Sequence, residues 1–113
     1  MMRVVEYLTR NGQSPFAKWF DDIDVQAAVK IRRAIARMEV GNFGDSKSIG
    51  KGVTEYRLTY GPGYRIYCGR DGDNLVILLV GGTKRRQQND IARAHEYWVD
   101  YKDRKDQENA SDT

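Results

Sequence analysis

The chain contains one uninterrupted apolar run, Leu75-Val-Ile-Leu-Leu-Val80, set between Asp71-Gly72-Asp73 and Gly81-Gly82. It is too short to span a bilayer and its composition suits a strand. A strand apolar at every position must be buried on both faces, which places it inside a sheet rather than at an edge.

Strand and helix signals lie on either side of the run. Arg3 to Thr9 alternates, with Val5 and Tyr7 on one face and Val4, Glu6 and Leu8 on the other. Asn11-Gly12 breaks the pattern. Ser14 before Pro15 is an N-cap ahead of proline at the first helical position, predicting a short helix to about Asp22. Asp24 is placed to cap a second helix, Val25 to about Val40, with Ala28, Ile31, Ile35 and Met38 as its apolar face and Gly41 as its stop. Trp19 and Phe20 supply bulk to this helical hairpin. Asn42 to Gly52 reads as a glycine-rich loop. Two strands follow, Val53 to Tyr60 and Tyr64 to Arg70, joined by Gly61-Pro62-Gly63. The apolar run comes next and ends at Gly81-Gly82. Thr83 is expected to cap a last helix, Lys84 to about Lys102, with a stripe of Ile91, Ala94, Trp98 and Tyr101. The fold class expected is α+β. Residues 1–102 form one domain in this reading, and 103–113 a disordered polar tail.

Charge and composition narrow the function. The net charge is +3, yet Lys102 to Thr113 holds Asp103, Asp106, Glu108 and Asp112 against three bases, so the folded part is more basic than the whole. Such a surface attracts phosphate polymers, acidic proteins or anionic membranes. No apolar run approaches twenty residues, and MMRVVEYLTR lacks a signal-peptide core. One cysteine, Cys68, forms no internal disulfide and fits a cytoplasmic protein. With one histidine and neither Cys-x-x-Cys nor His-Glu-x-x-His, no metal site or cofactor is expected. His95 reads as a packed or surface histidine, and Cys68 as a small buried hydrophobe.

Strand parity supplies candidate functional residues. Glu55, Arg57 and Thr59 share one face of their strand, opposite Tyr56 and Leu58. After the turn, Arg65 and Tyr67 share a face, opposite Tyr64, Ile66 and Cys68. If the apolar faces meet the helices, Arg57, Arg65 and Tyr67 project together from the other side. Lys84-Arg85-Arg86 begins a helix beside that face, and Lys47 and Lys51 lie in the loop before the hairpin. Cations bind phosphates, and arginine and phenol rings stack on bases. Exposed sheet faces also carry Arg and Tyr simply as good strand formers. Lys30, Arg33 and Arg37 form a second basic stripe on the long helix, opposite its apolar face. This is ordinarily a solvated face, with a nucleic-acid-contacting surface as the alternative.

Gly52 to Trp98, GVTEYRLTYGPGYRIYCGRDGDNLVILLVGGTKRRQQNDIARAHEYW, resembles the HigB-type, phage Gp49-like branch of the RelE/ParE toxin superfamily, the addiction module killer proteins. VVEYLTRNGQSPFAKWFDDI, Val4 to Ile23, is similar to the start of that family. The specific signal is the combination of Tyr-Arg-Leu, Gly-Pro-Gly-Tyr-Arg, Gly-Gly-x-Lys and Asp-Ile-x-Arg-Ala. The resemblance implies a RelE-like fold, a helical hairpin on a small, mainly antiparallel sheet with a C-terminal helix. It implies the toxin of a type II toxin–antitoxin system, an endoribonuclease cutting mRNA in the ribosomal A site by 2′-hydroxyl attack. It further implies neutralisation, as a hetero-oligomer, by a co-encoded helix-turn-helix antitoxin. Arg65 matches the family's strand arginine and Arg57 a basic position on the preceding strand. Lys84 and Arg85 fall near the basic position after the central strand, and these four are the catalytic candidates. Lys47 matches a basic loop position. With Lys51, Tyr67, Arg86, Lys30, Arg33 and Arg37 it makes up the expected RNA-binding set. Gln87, Gln88 and Asn89 stand where some relatives carry a C-terminal tyrosine or histidine. Two alternatives stay open: a ParE-like toxin that binds gyrase without catalysis, and an inactive member serving as a regulatory partner.

Overall fold

A computed structural model of the chain describes residues 1–111. Five strands form one sheet: β1 (Arg3–Glu6), β2 (Ser46–Ser48), β3 (Val53–Leu58), β4 (Tyr64–Asp71) and β5 (Leu75–Thr83). Their order is β1-β5-β4-β3-β2. β1 runs parallel to β5 and the other three pairs are antiparallel, so the sheet is mixed and the fold is α+β. The apolar run lies inside the sheet, as its composition requires. Helices α1 (Pro15–Asp22) and α2 (Val25–Glu39) cover one face, and α3 (Gln87–Ser111) covers the other. The caps are those the sequence signals: Ser14 Oγ accepts from Ala17 N at 3.0 Å, and Asp24 Oδ1 from Ala27 N at 2.8 Å. No described helix is long and apolar enough to cross a membrane.

Two cores result. Phe16, Ala27, Ile31, Ala34 and Met38 of α1 and α2 pack on Tyr56, Tyr64, Ile66, Cys68, Val76 and Leu78. Ala94 and Trp98 of α3 pack on Val53, Tyr67, Ile77, Leu79 and Val80. The buried seam of α2 is therefore Ala27, Ile31, Ala34 and Met38, with Ala28 and Ile35 on its half-buried flank. The buried face therefore lies about one position from the expected one, with the alanines at 27 and 34 turned inward.

A register shift between Tyr67 and Cys68 inserts one extra residue in β5, since Tyr67 pairs with Val80 and Cys68 with Leu78. The insertion reverses the strand's alternation. Ile77, Leu79 and Val80 all face α3, and Gly81 then faces α1. Gly81-Gly82, expected to end the strand, instead lie within it. They are glycines because something packs on each. A Cβ on Gly81 would stand 2.1 Å from the Trp19 ring, and one on Gly82 would stand 1.9 Å from Asp90 Oδ2.

Other expectations need correction. β1 stops at Glu6, because Thr9, Gly12 and Gln13 close a local turn. The glycine-rich loop contains β2, three polar residues paired with Thr54–Tyr56 through pairing alone. Thr83 makes no side-chain capping bond. A 3₁₀ turn, Lys84–Arg86, comes first and α3 starts at Gln87. The tail expected to be disordered from residue 103 is helical through Ser111. It is tied down: Lys105 Nζ sits 2.5 Å from Asp71, while Arg104 pairs with Asp100 at 2.9 Å and donates to the Leu8 carbonyl. Residues 112 and 113 of that tail lie outside the described residues.

Alanine at Gly81, or at Gly69 where a Cβ would meet the Trp98 ring at 2.5 Å, forces an indole out of place. Each substitution should cost about 1–3 kcal/mol of stability. Urea denaturation midpoints of G81A and G69A measure it, and unchanged midpoints would show that the indoles yield freely.

Candidate functional site

Arg57 and Arg65 are direct cross-strand partners, so their side chains leave the same face of the sheet. Like charges placed directly opposite repel. Glu55, two residues before Arg57, relieves that repulsion. Its Oε1 accepts from Arg57 Nε at 3.0 Å and lies 4.0 Å from Arg65 Nε. Its Oε2 accepts from the Tyr67 hydroxyl at 3.1 Å and from Gln87 Nε2 at 2.7 Å. The carboxylate is fully buried. Burial alone would raise its pKa, but bonds from Arg57, Gln87 and Tyr67 outweigh it and hold the carboxyl below its ordinary range.

The first turn of α3 closes this cluster from above. Gln87 reaches Glu55, and Asp90, one turn on, packs on Gly82, the cross-strand partner of Arg65. Asp90 is 3% exposed. Burial pushes its carboxyl up, opposed by Arg93 and Arg86. Among the described residues, Asp90 Oδ2 and Arg65 Nε have no hydrogen-bond partner. Buried polar atoms left in this state are uncommon outside sites of function or strain.

Lys84 joins the cluster at the turn between β3 and β4. Its N–H donates to the Gly63 carbonyl at 2.8 Å. A Cβ on Gly63, whose φ is +79°, would lie 3.3 Å from Lys84 Cβ and 3.4 Å from Arg65 Nη1. Glycine there lets the two cationic side chains approach one another. Arg85 and Arg86 are exposed on the same 3₁₀ turn. Lys47 is exposed on edge strand β2, opposite Glu55 and on the same face.

The structure thus brings together Arg57, Arg65 and Lys84, flanked by Lys47. It removes others. Tyr67, expected to meet RNA on an open face, is wholly buried, because α3 covers that part of the sheet. Its hydroxyl is committed to Glu55, and burial followed by the Glu55 charge pushes its pKa well up. Lys51, with φ +58°, sits in the turn before Val53, at the opposite end of β3 from Arg57. Arg65 is only 8% exposed. Lys30, Arg33 and Arg37 do not join the sheet cluster but line a cleft of about 320 Å³ against β3 that also reaches Arg57.

Glu55, Gln87 and Asp90 were not among the expected site residues. Glu55 shares parity with Arg57, and a lone acid on the face that carries both arginines was the available signal. Gln87 and Asp90 extend the spacing of Ile91, Ala94 and Trp98, the face of α3 turned to the sheet. Two groups outside the cluster behave as the sequence suggests. Cys68 is buried, its thiol pushed up to about 12 by burial. His95 Nε2 is bound at the Ile49 and Gly50 carbonyls, 3.0 and 3.2 Å away. Among the described residues no three His, Cys, Asp or Glu side chains converge as metal ligands do.

No family model matches the chain. An uncharacterized protein of Haemophilus influenzae is 42% identical over 80 residues, spanning 70% of this chain and 81% of that one.

The two buried carboxylates should respond to pH with opposite signs. Glu55 has a lowered pKa, so its stabilisation is complete above the unfolded value of 4.5 and is lost as pH falls through the folded value. Asp90 has a raised pKa, so its ionisation opposes folding at neutral pH and protonation relieves it. E55A, which strands a buried guanidinium, should cost about 3–5 kcal/mol at pH 7 and less in acid. D90N should stabilise at pH 7, with the gain shrinking as pH falls. Denaturation midpoints across the acid range read both, and parallel curves would contradict the assignment.

Proposed function

We infer, for a chain that belongs to one family with that Haemophilus influenzae protein, that it is a toxin that cuts messenger RNA. It would do so on the ribosome, in a RelE-like fold, and be held in check by a helix-turn-helix antitoxin. One observation carries the reading beyond the sequence resemblance: two arginines paired across β3 and β4, with Lys84 beside them, make one cationic corner around a buried carboxylate.

That corner suits transesterification at a phosphodiester. The 2′-hydroxyl oxygen bonds to the adjacent phosphorus and gives up its proton to water. The bond from phosphorus to the 5′ oxygen breaks, and that oxygen takes up a proton. The products are a 2′,3′-cyclic phosphate and a 5′-hydroxyl. Glu55 engages Arg57 through Nε, which leaves both Nη groups to hold the charge building on phosphorane oxygens. Arg65 supports them from beneath. The exposed Lys84 ammonium, or Arg85 beside it, steadies the phosphate, and Lys84 offers a proton to the leaving oxygen. Neither arginine serves as a base, since guanidinium stays protonated. Alignment of the 2′-hydroxyl by the ribosome supplies much of the rate.

Induced expression should arrest growth, with cuts mapped by primer extension to positions within codons. R57A should fall by about 10²–10³ in cleavage, the scale for loss of one donor to a developing oxyanion. R65K keeps the charge of a buried site and should lose cleavage with its circular dichroism intact. Undiminished cutting by folded R57A would refute the assignment. DNA damage with intact RNA would move the target to gyrase. A stable wild-type protein without either effect would mark an inactive regulatory member.

A further inference from the structure

Beyond the end of β2 the edge of β3 is uncovered. Ser46 pairs with Tyr56, the Arg57 N–H donates to the Asp45 carbonyl at 2.8 Å, and the ladder stops there. α2 lies alongside this bare edge, and the cleft of about 320 Å³ between them is lined by Lys30, Arg33 and Arg37 from the helix, Arg57 from β3, and Thr59 and Tyr60 just past its end. No acid lines it. Some cations elsewhere find acids: Arg104 and Arg10 bind Asp100, Lys105 binds Asp71, and Arg93 faces Asp90. Among the described residues, Lys30, Arg33 and Arg37 form no ion pair. Three unneutralised cations facing one concavity repel one another, an arrangement stable alone only because water screens it. An anion entering the cleft relieves that repulsion.

We propose that this cleft is the track for the backbone of single-stranded RNA on its way to Arg57 and Arg65. The proposal rests on the ribonuclease reading above and assigns the α2 stripe to the substrate strand rather than to bulk solvent. Arg37 lies seven residues after Lys30, about 10 Å along the helix. At roughly 3.4 Å of rise per nucleotide this matches about three phosphates. The cleft is concave, so it takes in a strand, whereas duplex grooves are entered by a protruding element. Tyr60 does not stack on bases here. One side of its ring carries Lys30 Nζ, 4.7 Å from the centroid, and Tyr64 stacks against it at 6.3 Å. The tyrosine instead props the lysine toward the cleft, so the contacts read backbone and not sequence. Arg57 belongs to both the cleft and the Glu55 cluster, which makes it the point where the track meets the reacting phosphate.

The probe is a fluorescent oligoribonucleotide of about ten nucleotides, 2′-O-methylated so that it cannot be cut. Its binding to the full-length protein is followed by anisotropy between about 50 and 200 mM salt. K30A/R33A/R37A should bind about tenfold or more weakly at low salt. Its log K against log salt slope should be shallower by about 2, at ~0.7 per single-strand phosphate contact. R3A/K18A/K102A removes the same charge from other surfaces and should keep the wild-type slope. An unchanged slope in the cleft variant, or an equal loss in the control, overturns the track. So does a wild-type protein that cuts mRNA in cells yet binds no oligonucleotide, an outcome that leaves the ribonuclease reading standing. Preference for a decaglutamate peptide over the RNA would reassign the cleft to an acidic polypeptide. Loss of cutting by R57A with the cleft variant still binding as wild type separates failure of the track from failure of the cluster.

Discussion

Two guanidinium groups directly opposite one another on neighbouring strands should push those strands apart, and the structure depends on what prevents it. The Glu55 carboxylate sits between them, accepts from Arg57, and lies 4.0 Å from Arg65. Its second oxygen is filled by Tyr67 from β4 and Gln87 from α3. One buried anion thereby fixes three elements: β3 to β4 beyond their backbone ladder, and the start of α3 to both. Burying a carboxylate is expensive unless every lone pair is met, and here the partners come from all three elements at once. Removing any of them leaves the others worse placed, so the cluster is cooperative.

The same arrangement concentrates positive charge at one corner without dispersing it into surface ion pairs. Arg65 is held under the turn of Gly61-Pro62-Gly63, with Lys84 at the same glycine. Arg57 is the more open of the two, its side chain 30% exposed against 10% for Arg65. The buried arginine shapes the field and the open one meets what arrives. Asp90 adds a second, ill-satisfied carboxylate behind Arg65. Its burial weakens the charge it would otherwise set against the cations, because burial favours the neutral acid.

Much of this was legible in the sequence, for identifiable reasons. The apolar run declared a doubly covered strand, and Ser14-Pro15 and Asp24 declared the helix starts, because these signals are local. Arg57 and Arg65 on one face followed from strand period two and a tight turn. What stayed hidden depends on partners distant in sequence. Ser46–Ser48 is a strand only because Thr54–Tyr56 lies beside it. Tyr67 looked exposed because parity cannot say that α3 returns over that face. The helix past Lys102 looked like a free tail, since its anchors at Asp71 and Leu8 are far back in the chain. Gln87 could be placed on the inner side of α3 but not matched to Glu55, 32 positions earlier.

The extra residue in β5 also bears on how relatives should be matched to this chain. Along Val76 to Val80 every position is hidden from water, so hydrophobicity does not distinguish one alignment frame from its neighbour. Beyond the irregularity the frame matters at each step, since Gly81 and Gly82 yield to an indole on one side and a carboxylate on the other. An alignment pinned on the greasy hexamer slides freely by one. Pinned on the diglycine, it keeps Trp19 and Asp90 on their proper sides, and the arginine pair falls into phase with them.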